Sequence, residues 1–197
     1  MPGHDGTAAD RKLSDVELLA RAWRVAAERH VDHRRKGSRA EPYVNHLAEV
    51  ADLVATATGG SDARLVAAAV LHDTIEDTGM SLAELDRLFG PDVAGLVAEV
   101  SDDKNLTREE RKRLQVESAA AKPARVKLLR LADKTSNLRS ATLSPPADWS
   151  LARRRGYLDW ARAVAAGLRG VNPWLEQQFD RAAAELEERL QQEEATT

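Results

Sequence analysis

The sequence predicts an all-α fold, a bundle of about eight or nine helices, on three observations. It contains no period-2 alternation of apolar and polar residues of the kind that predicts strands. Ala-, Leu- and Arg-rich stretches alternate with short segments containing Gly or Pro, which end helices. Three Ser or Thr residues are each followed three positions later by Glu, the capping-box pattern that opens a helix: Ser14 with Glu17, Ser81 with Glu84, and Thr107 with Glu110.

The first half of the chain divides into helices at these capping and breaking residues. A first helix is predicted over residues 14–30, and the charged residues 31–42, which end in Pro, are predicted to form a loop. A second helix is predicted over residues 43–58, where two glycines follow. Ser61 is then expected to cap a third helix, whose middle, residues 65–71, is apolar on every side. A helix that is apolar all round is normally buried at the centre of its fold.

The second half of the chain contains three further long helices. Pro123 suits the first turn of a helix that is predicted to run to about residue 139. Residues 143–149, which include two prolines, form a predicted break. The last two helices are predicted over residues 150–168 and 172–192. The chain therefore reads as a succession of helices joined by short connections, as in a helical bundle.

Composition predicts one soluble domain over residues 13–193, preceded by a disordered tail over residues 1–12. The chain has 197 residues, of which 43% are hydrophobic and 31% charged, enough apolar surface for a packed core. The polar first residues lack the apolar core of a signal peptide, and no run approaches the roughly 18 apolar residues of a membrane span. We therefore expect a cytoplasmic protein without a membrane partner.

Charge and cysteine content narrow the classes of partner and of metal site. The net charge of −3 argues against broad binding to nucleic acid, which usually requires a basic surface. The chain has no cysteine, so a metal site must use His, Asp, Glu or water. Composition does not determine the oligomeric state, so both a monomer and a homodimer are compatible with it.

Four ionisable residues directly follow the apolar residues 65–71, namely His72, Asp73, Glu76 and Asp77. If the helix continued through them, their spacings of three and four would crowd the carboxylates onto neighbouring faces. Carboxylates so close together repel, and burying them is costly unless a cation neutralises them. The alternative interpretation is a helix end that runs out into solvent at Gly79. The apolar run before His72 favours the metal site.

Two further residues complete a candidate ligand set. His46 lies near the start of the second helix, and Asp133 lies in an apolar-rich stretch. Each alone is more often a structural or solvated residue. The ordered set His46, His72, Asp73 and Asp133 resembles the ligand pattern of the HD superfamily of metal-dependent phosphohydrolases. This resemblance implies an HD-domain helical bundle.

A more specific resemblance covers roughly residues 15–180. Four stretches are similar to the hydrolase domain of RelA/SpoT-type alarmone enzymes, and above all to the stand-alone small alarmone hydrolases: 34–46 (RRKGSRAEPYVNH), 65–78 (LVAAAVLHDTIEDT), 88–104 (LFGPDVAGLVAEVSDDK) and 127–139 (KLLRLADKTSNLR). The resemblance implies one Mn²⁺ held by His46, His72, Asp73 and Asp133, with Glu76 and Asp77 activating water. The implied reaction removes the 3′-pyrophosphate of ppGpp or pppGpp, giving GDP or GTP. For Glu76 and Asp77 the alternative is a purely structural role.

The resemblance also implies contacts to the nucleotide. Arg35 would lie against the base and Lys36 near phosphate, whereas Arg34 and Arg39 are interpreted as solvated. The other implied contacts are Asn137, Arg108, Arg153 and Tyr157, of which the last three also suit surface or core positions. The tryptophans Trp149, Trp160 and Trp174 are interpreted as packing residues.

The chain departs from the family pattern at four positions. Leu47 replaces a common Pro after the first ligand His, and Arg130 replaces a Lys. Thr135 and Ser136 stand where the family has bulkier residues, such as a Leu-Tyr pair, and are expected to widen or re-polarise the nucleotide pocket. Substrate choice therefore stays open between ppGpp or pppGpp and NADPH, which would lose its 2′-phosphate. A catalytically silent nucleotide-sensing module is a third hypothesis, disfavoured because all six metal and catalytic residues are present.

Overall fold

A computed structural model describes residues 13–196 as a bundle of helices. Within that range there are ten helices and no strands, and one of the ten is a single five-residue turn, which confirms the all-α prediction. In order they are α1 (Asp15–Arg29), α2 (Val44–Ala57), α3 (Ala63–Leu71), α4 (Thr74–Thr78), α5 (Leu82–Phe89), α6 (Pro91–Val100), α7 (Arg108–Ala119), α8 (Ala124–Leu143), α9 (Leu151–Leu168) and α10 (Pro173–Glu194).

The predicted tail, residues 1–12, lies outside the described residues. Among residues 13–196, no helix combines the length and the apolar character needed to cross a membrane.

Helix α3 lies at the centre of the fold, as its all-round apolar character predicts. Every residue from Leu65 to Leu71 is buried, and α3 packs against α1, α2 and α6. Its N-cap is Asp62, whose carboxylate accepts a hydrogen bond from the Leu65 N–H at 3.0 Å, so the prediction that Ser61 caps this helix was wrong by one residue. Arg125 also binds Asp62, at 2.8 Å, and thereby ties the start of α3 to α8.

The chain does not continue as one helix through the ionisable residues after α3. Helix α3 ends at Leu71, His72 and Asp73 form a turn, and α4 begins at Thr74. The Thr74 hydroxyl donates to the Leu71 carbonyl at 2.6 Å, which satisfies one of the carbonyls that the end of α3 leaves without a helical partner. The turn places His72 and Asp73 between two helices rather than along one helix face.

Helix α8 extends from Ala124 to Leu143, beyond the predicted end near residue 139, and packs against α2, α9 and α10. Pro123 is its N-cap residue. The three capping boxes are all formed, at the starts of α1, α5 and α7. Helix α8 buries several polar side chains together with its apolar ones: Arg130, Lys134, Thr135 and Ser136. Two of them, Arg130 and Lys134, lie four residues apart on one face of α8 and line the polar site described below.

The loop before α2 is held against the segment that follows α8 by a close backbone approach at Gly37. Gly37 forms an antiparallel bridge with Pro146, and a Cβ built at Gly37 would lie 2.1 Å from the Ser144 carbonyl oxygen. Gly37→Ala is therefore expected to displace the loop and lower the free energy of unfolding by about 1–3 kcal/mol, as overpacking does. Urea denaturation measures this change.

Gly95→Ala is the matched control, because a Cβ there meets nothing within 4 Å and Gly95 lies inside α6. This variant should be neutral or slightly stabilising. Equal destabilisation of the two variants would contradict the close-approach argument at Gly37.

Candidate metal centre and adjoining pocket

The structure brings the four predicted metal ligands together, from α2, the α3–α4 turn and α8. Ligand atoms of His46, His72 and Asp133 all lie within 4.8 Å of one another. Asp73 Oδ2 is 3.0 Å from His72 Nε2 and 3.6 Å from His46 Nε2, and Asp133 Oδ1 is 3.4 Å from His46 Nε2. Two ligands at right angles, each about 2.1 Å from one ion, are about 3 Å apart. The spacing of these atoms therefore suits a single small cation.

Both histidines direct Nε2 toward the cluster because Nδ1 is engaged elsewhere. His72 Nδ1 lies 2.8 Å from the Ala69 carbonyl oxygen and donates to it, and His46 Nδ1 lies 2.9 Å from Ser136 Oγ. His72 Nε2 is buried and lacks a hydrogen-bond partner. Its nearest polar neighbours are the carboxylates of Asp73 and Asp133, at 3.0 and 3.8 Å, so a cation between them would give this nitrogen a partner. Two imidazole nitrogens with two carboxylates form a donor set that Mn²⁺ and similar divalent ions accept.

The carboxylates are held by neutral and cationic donors around them. Asp73 Oδ2 accepts from the Tyr43 hydroxyl at 2.7 Å, and Asp133 accepts from Lys134 Nζ at 2.9 Å and from the Asn137 amide. Burial alone would raise the pKa of Asp73, but the adjacent histidines outweigh it and hold this pKa well below its usual range. The pKa of Asp133 is held low in the same way, chiefly by Lys134 and His46 against the effect of burial. Both carboxylates are thus ionised and available to a cation.

Glu76 lies in the same small chamber as the ligand cluster, a cavity of about 130 Å³. Its Oε1 accepts a hydrogen bond from the Asp102 N–H at 2.8 Å, which fixes the carboxylate. Burial raises the pKa of Glu76 to about 7, with Asp73 adding to the rise and the Asp102 N–H opposing it. A carboxylate with a pKa near neutrality is suited to proton transfer. Asp77 is exposed and lies 3.8 Å from Lys104 Nζ, facing a larger pocket.

A pocket of about 670 Å³ adjoins the chamber, and Tyr43, Lys134 and Asn137 line both. Its size suits a ligand larger than a single phosphate group. Arg35 and Lys36 line it, as predicted for nucleotide contacts, and the Arg35 guanidinium donates to Asn137 Oδ1 at 2.8 Å.

Of the three remaining residues predicted to contact the nucleotide, one lines this pocket and two do not. Tyr157 lines it directly, but Arg108 and Arg153 do not. Arg108 is exposed at the start of α7. Arg153 stacks on Trp149 at 4.8 Å and pairs with Asp148 at 3.2 Å. Both arginines are close enough to Lys112 to lower its pKa, although burial is the larger cause. They therefore form part of a positive region beside the pocket rather than its wall.

Sequence reasoning missed several residues of the pocket wall. Trp149 and Trp160, interpreted as packing residues, line the pocket on either side of Tyr157, with ring centroids 5.3 and 5.5 Å from it. Lys134 is buried, with its ammonium group 4.9 Å from the Trp160 ring centre. Trp174 is 37% exposed and does not line the pocket. The adjacency of Lys134 to Asp133 was the one sequence feature that could have singled it out.

Thr135 and Ser136 do not line the 670 Å³ pocket, contrary to the expectation that they reshape it. Thr135 donates to the Leu131 carbonyl of its own helix at 2.7 Å. Ser136 lies behind His46 and borders a separate cavity of about 140 Å³. Helix periodicity explains this placement, because adjacent helical residues point about 100° apart, and the pocket is lined by the α8 face that carries Lys134, Asn137, Ser140 and Ala141.

Fold and site together define a helical bundle with a His-Asp cluster that could hold a metal ion, beside a pocket of about 670 Å³. Residues 22–166 match the family model described as HD domain, and the chain belongs to this family.

The chain aligns with most of the length of several curated relatives. The chain is 46% identical over 155 residues to the Drosophila melanogaster protein named guanosine-3′,5′-bis(diphosphate) 3′-pyrophosphohydrolase MESH1, spanning 79% of this chain and 87% of that protein. It is 43% identical over 164 residues to the Homo sapiens protein of the same name, spanning 83% and 92%.

Two solved structures have folds similar to that of this chain. A structure described as a metazoan ortholog of SpoT that hydrolyzes ppGpp has a TM-score of 0.82, at 42% identity, covering 87% of this chain and 96% of that one. The Listeria monocytogenes protein lmo0812 has a TM-score of 0.61 at 30% identity, covering 74% and 99%.

Proposed function

We propose that this chain is an Mn²⁺-dependent 3′-pyrophosphohydrolase that converts ppGpp and pppGpp to GDP and GTP with release of pyrophosphate. The observation that carries the proposal is the His46, His72, Asp73 and Asp133 cluster, which shares its chamber with Glu76 and adjoins a nucleotide-sized pocket. The names of the relatives in fly and human support the choice of substrate.

The four-residue cluster would hold the cation. When bound, a divalent cation supplies positive charge that acidifies water and offsets charge on the phosphate oxygens. Hydrogen bonds hold the residues of the cluster in place for that role; the partners are Ala69, Ser136, Tyr43 and Lys134. Preorganised ligands bind metals more tightly than mobile ones do.

Glu76 is proposed to accept the proton of the attacking water. Its carboxylate is fixed by Asp102, and its pKa near 7 allows it to be ionised at neutral pH yet basic enough to take a proton. Water attacks the phosphorus bonded to O3′, and the O3′–phosphorus bond breaks. The ribose oxygen leaves as a hydroxyl by taking a proton from solvent, to which Glu76 returns the proton of the attacking water. Asp77, at the pocket side of the same turn, is proposed to help orient this water, and Lys104, 3.8 Å from it, to hold the pyrophosphate product.

The 670 Å³ pocket is proposed to hold the nucleoside. Arg35 lies 5.6 Å from the Tyr43 ring centre and is braced by Asn137, so its guanidinium is already placed to stack on a purine. Lys36 and Lys134 supply positive charge near the phosphates, and Arg108 and Arg153 extend it at the rim.

The test is incubation of the purified chain and Mn²⁺ with ppGpp, pppGpp or NADPH in separate reactions, followed by identification of the products. GDP or GTP with pyrophosphate supports the proposal. Release of orthophosphate and NADH from NADPH alone would instead assign the chain to a 2′-phosphatase activity. No product from any of the three would overturn the proposed function. Omission of Mn²⁺ and addition of a chelator serve as controls.

Arg35→Ala is expected to raise KM about 5- to 30-fold while changing kcat much less. A stacking contact made about equally in the ground and transition states has this kinetic form, and its energy is about 1–2 kcal/mol. Lys36→Ala should lower kcat as well, if its charge holds the reacting phosphates. Steady-state kinetics on ppGpp separates the two parameters.

Arg39 provides the control for this loop, since its side chain is 63% exposed. Arg39→Ala should behave as wild type. If alanine at Arg35, Lys36 and Arg39 has the same effect, the loop acts only as a diffuse positive field, and the contact assigned to Arg35 is wrong.

Replacing Glu76 by Gln is expected to raise the free energy of unfolding of the metal-free protein at pH 8. The folded pKa of about 7 lies above the usual 4.5, so the folded state binds the proton more tightly than the unfolded state. Ionisation of Glu76 therefore costs stability on the order of 3 kcal/mol above pH 7, and this cost falls between pH 7 and 4.5 and vanishes below. Thermal unfolding of both proteins in chelator at pH 8 and pH 4.5 measures it. If the variant and the wild type differ in stability by the same amount at both pH values, the pKa of Glu76 is not raised.

A further inference from the structure

The two metal-cluster histidines are oriented by different means. His72 Nδ1 donates to a backbone carbonyl, that of Ala69, at 2.8 Å. His46 Nδ1 instead meets a side chain, the Ser136 hydroxyl, at 2.9 Å. Any residue at position 69 would supply the backbone carbonyl that holds His72. The contact that holds His46 exists only if residue 136 has a side chain able to accept a hydrogen bond.

Ser136 in turn contacts a carboxylate. The Ser136 hydroxyl lies 2.6 Å from Glu49 Oε2, and Glu49 Oε1 accepts from Arg139 at 2.9 Å. An ionised carboxylate can only accept a hydrogen bond, so the single hydroxyl proton of Ser136 must be donated to Glu49. Ser136 Oγ is then an acceptor toward His46, and His46 Nδ1 must carry its proton.

The direction of these hydrogen bonds fixes the tautomer of His46. With the proton on Nδ1, the lone pair is on Nε2, which faces Asp73 and Asp133 at 3.6 and 3.4 Å. His46 and Ser136 are both buried, so water does not compete for this contact. Glu49 is 35% exposed in its side chain, and Arg139 holds it in place.

We propose that Ser136 and Glu49 form a positioning pair that holds His46 as a metal ligand and thereby sets the affinity for the cation. The inference rests on the proposed metal site. It concerns a residue that borders, together with Glu49 and Arg139, a cavity of about 140 Å³. Ser136 thus acts on the metal centre and not on the nucleotide pocket.

The experiment measures the Mn²⁺ dissociation constant of the metal-free protein from the electron paramagnetic resonance signal of free Mn²⁺ during titration. Ser136→Ala is expected to raise this constant about 10- to 100-fold, the usual cost of losing a partner behind a ligating histidine. Ser136→Thr keeps the hydroxyl beside a cavity with room for a methyl group, and should restore affinity. At saturating Mn²⁺, the kcat of Ser136→Ala for ppGpp should return toward that of wild type.

Thr135→Val is the matched control, because it removes a neighbouring buried hydroxyl that bonds only within α8. Its Mn²⁺ affinity should equal that of wild type. Glu49→Ala should also weaken binding, and the double variant with Ser136→Ala should be no weaker than Ser136→Ala alone, since both changes break one relay.

Unchanged Mn²⁺ affinity in Ser136→Ala, or an equal loss in Thr135→Val, overturns the inference while the metal site stands. If Ser136→Ala does not fold, Glu49→Ala at the half-exposed end of the relay decides the question, and wild-type affinity there overturns it. A wild-type protein that binds no Mn²⁺ overturns the proposed function together with this inference.

Discussion

Replacing His72 by Ala is expected to abolish both bound Mn²⁺ and turnover. His72 supplies a buried nitrogen that has no hydrogen-bond partner and lies 3.0 Å from Asp73 Oδ2. Without it, the cluster keeps one imidazole and two carboxylates, three of the four candidate ligands, and the remaining set is too weak to retain the ion. Metal analysis after dialysis against limiting Mn²⁺, together with a ppGpp hydrolysis assay, measures both losses.

A histidine outside the cluster provides the control for this experiment. His33 lines the 670 Å³ pocket and contacts His30, but it contributes nothing to the ligand set. His33→Ala should therefore retain the metal, and circular dichroism should show that His72→Ala keeps its helices. Undiminished Mn²⁺ in His72→Ala would refute the assignment of the metal site.

Glu76→Gln is expected to slow hydrolysis by roughly 100-fold or more while leaving Mn²⁺ and nucleotide binding intact. Gln keeps the length of Glu and an oxygen that can still accept from the Asp102 N–H, but it cannot take a proton from water. Single-turnover rates measure the chemistry, and binding of nucleotide to the variant is measured by calorimetry. The contrast between slow chemistry and normal binding identifies a proton acceptor.

The capping residue Glu84 offers a matched control at the surface. Glu84 closes the capping box of α5 with Ser81, a role that Gln also fills, so Glu84→Gln should keep normal turnover. Near-normal turnover in Glu76→Gln would show that Glu76 has only a structural role. Loss of Mn²⁺ in that variant would instead make Glu76 a metal ligand.

Most of the fold could be predicted because its signals are local. Capping boxes, prolines and glycines act within four residues of one another, and the structure forms all three boxes where the pattern predicts them. The burial of residues 65–71 also follows from their own apolar character. The misplaced cap at Ser61 has a tertiary cause, since Arg125, 63 positions away, holds Asp62 at that helix start.

The candidate metal ligands could be singled out from sequence because a specific ordered pattern contains them. The pattern does not contain the groups that hold these ligands in place. Tyr43, Lys134 and Trp160 are ordinary residues in the sequence, and their roles arise from contacts made across α2, α8 and α9.

The sequence by itself therefore determined the helical class, the limits of α1, α2, α3, α8, α9 and α10 within a few residues and the candidate metal ligands, because periodicity, caps and motifs are short-range properties. Only the tertiary structure decided that the chain turns at His72 and Asp73 instead of continuing as a helix. It also decided that Ser136 serves His46 rather than the pocket, with Glu49, 87 positions away, completing the relay. Hydrogen-bond direction and burial depend on which helices pack together, and packing depends on the whole chain at once.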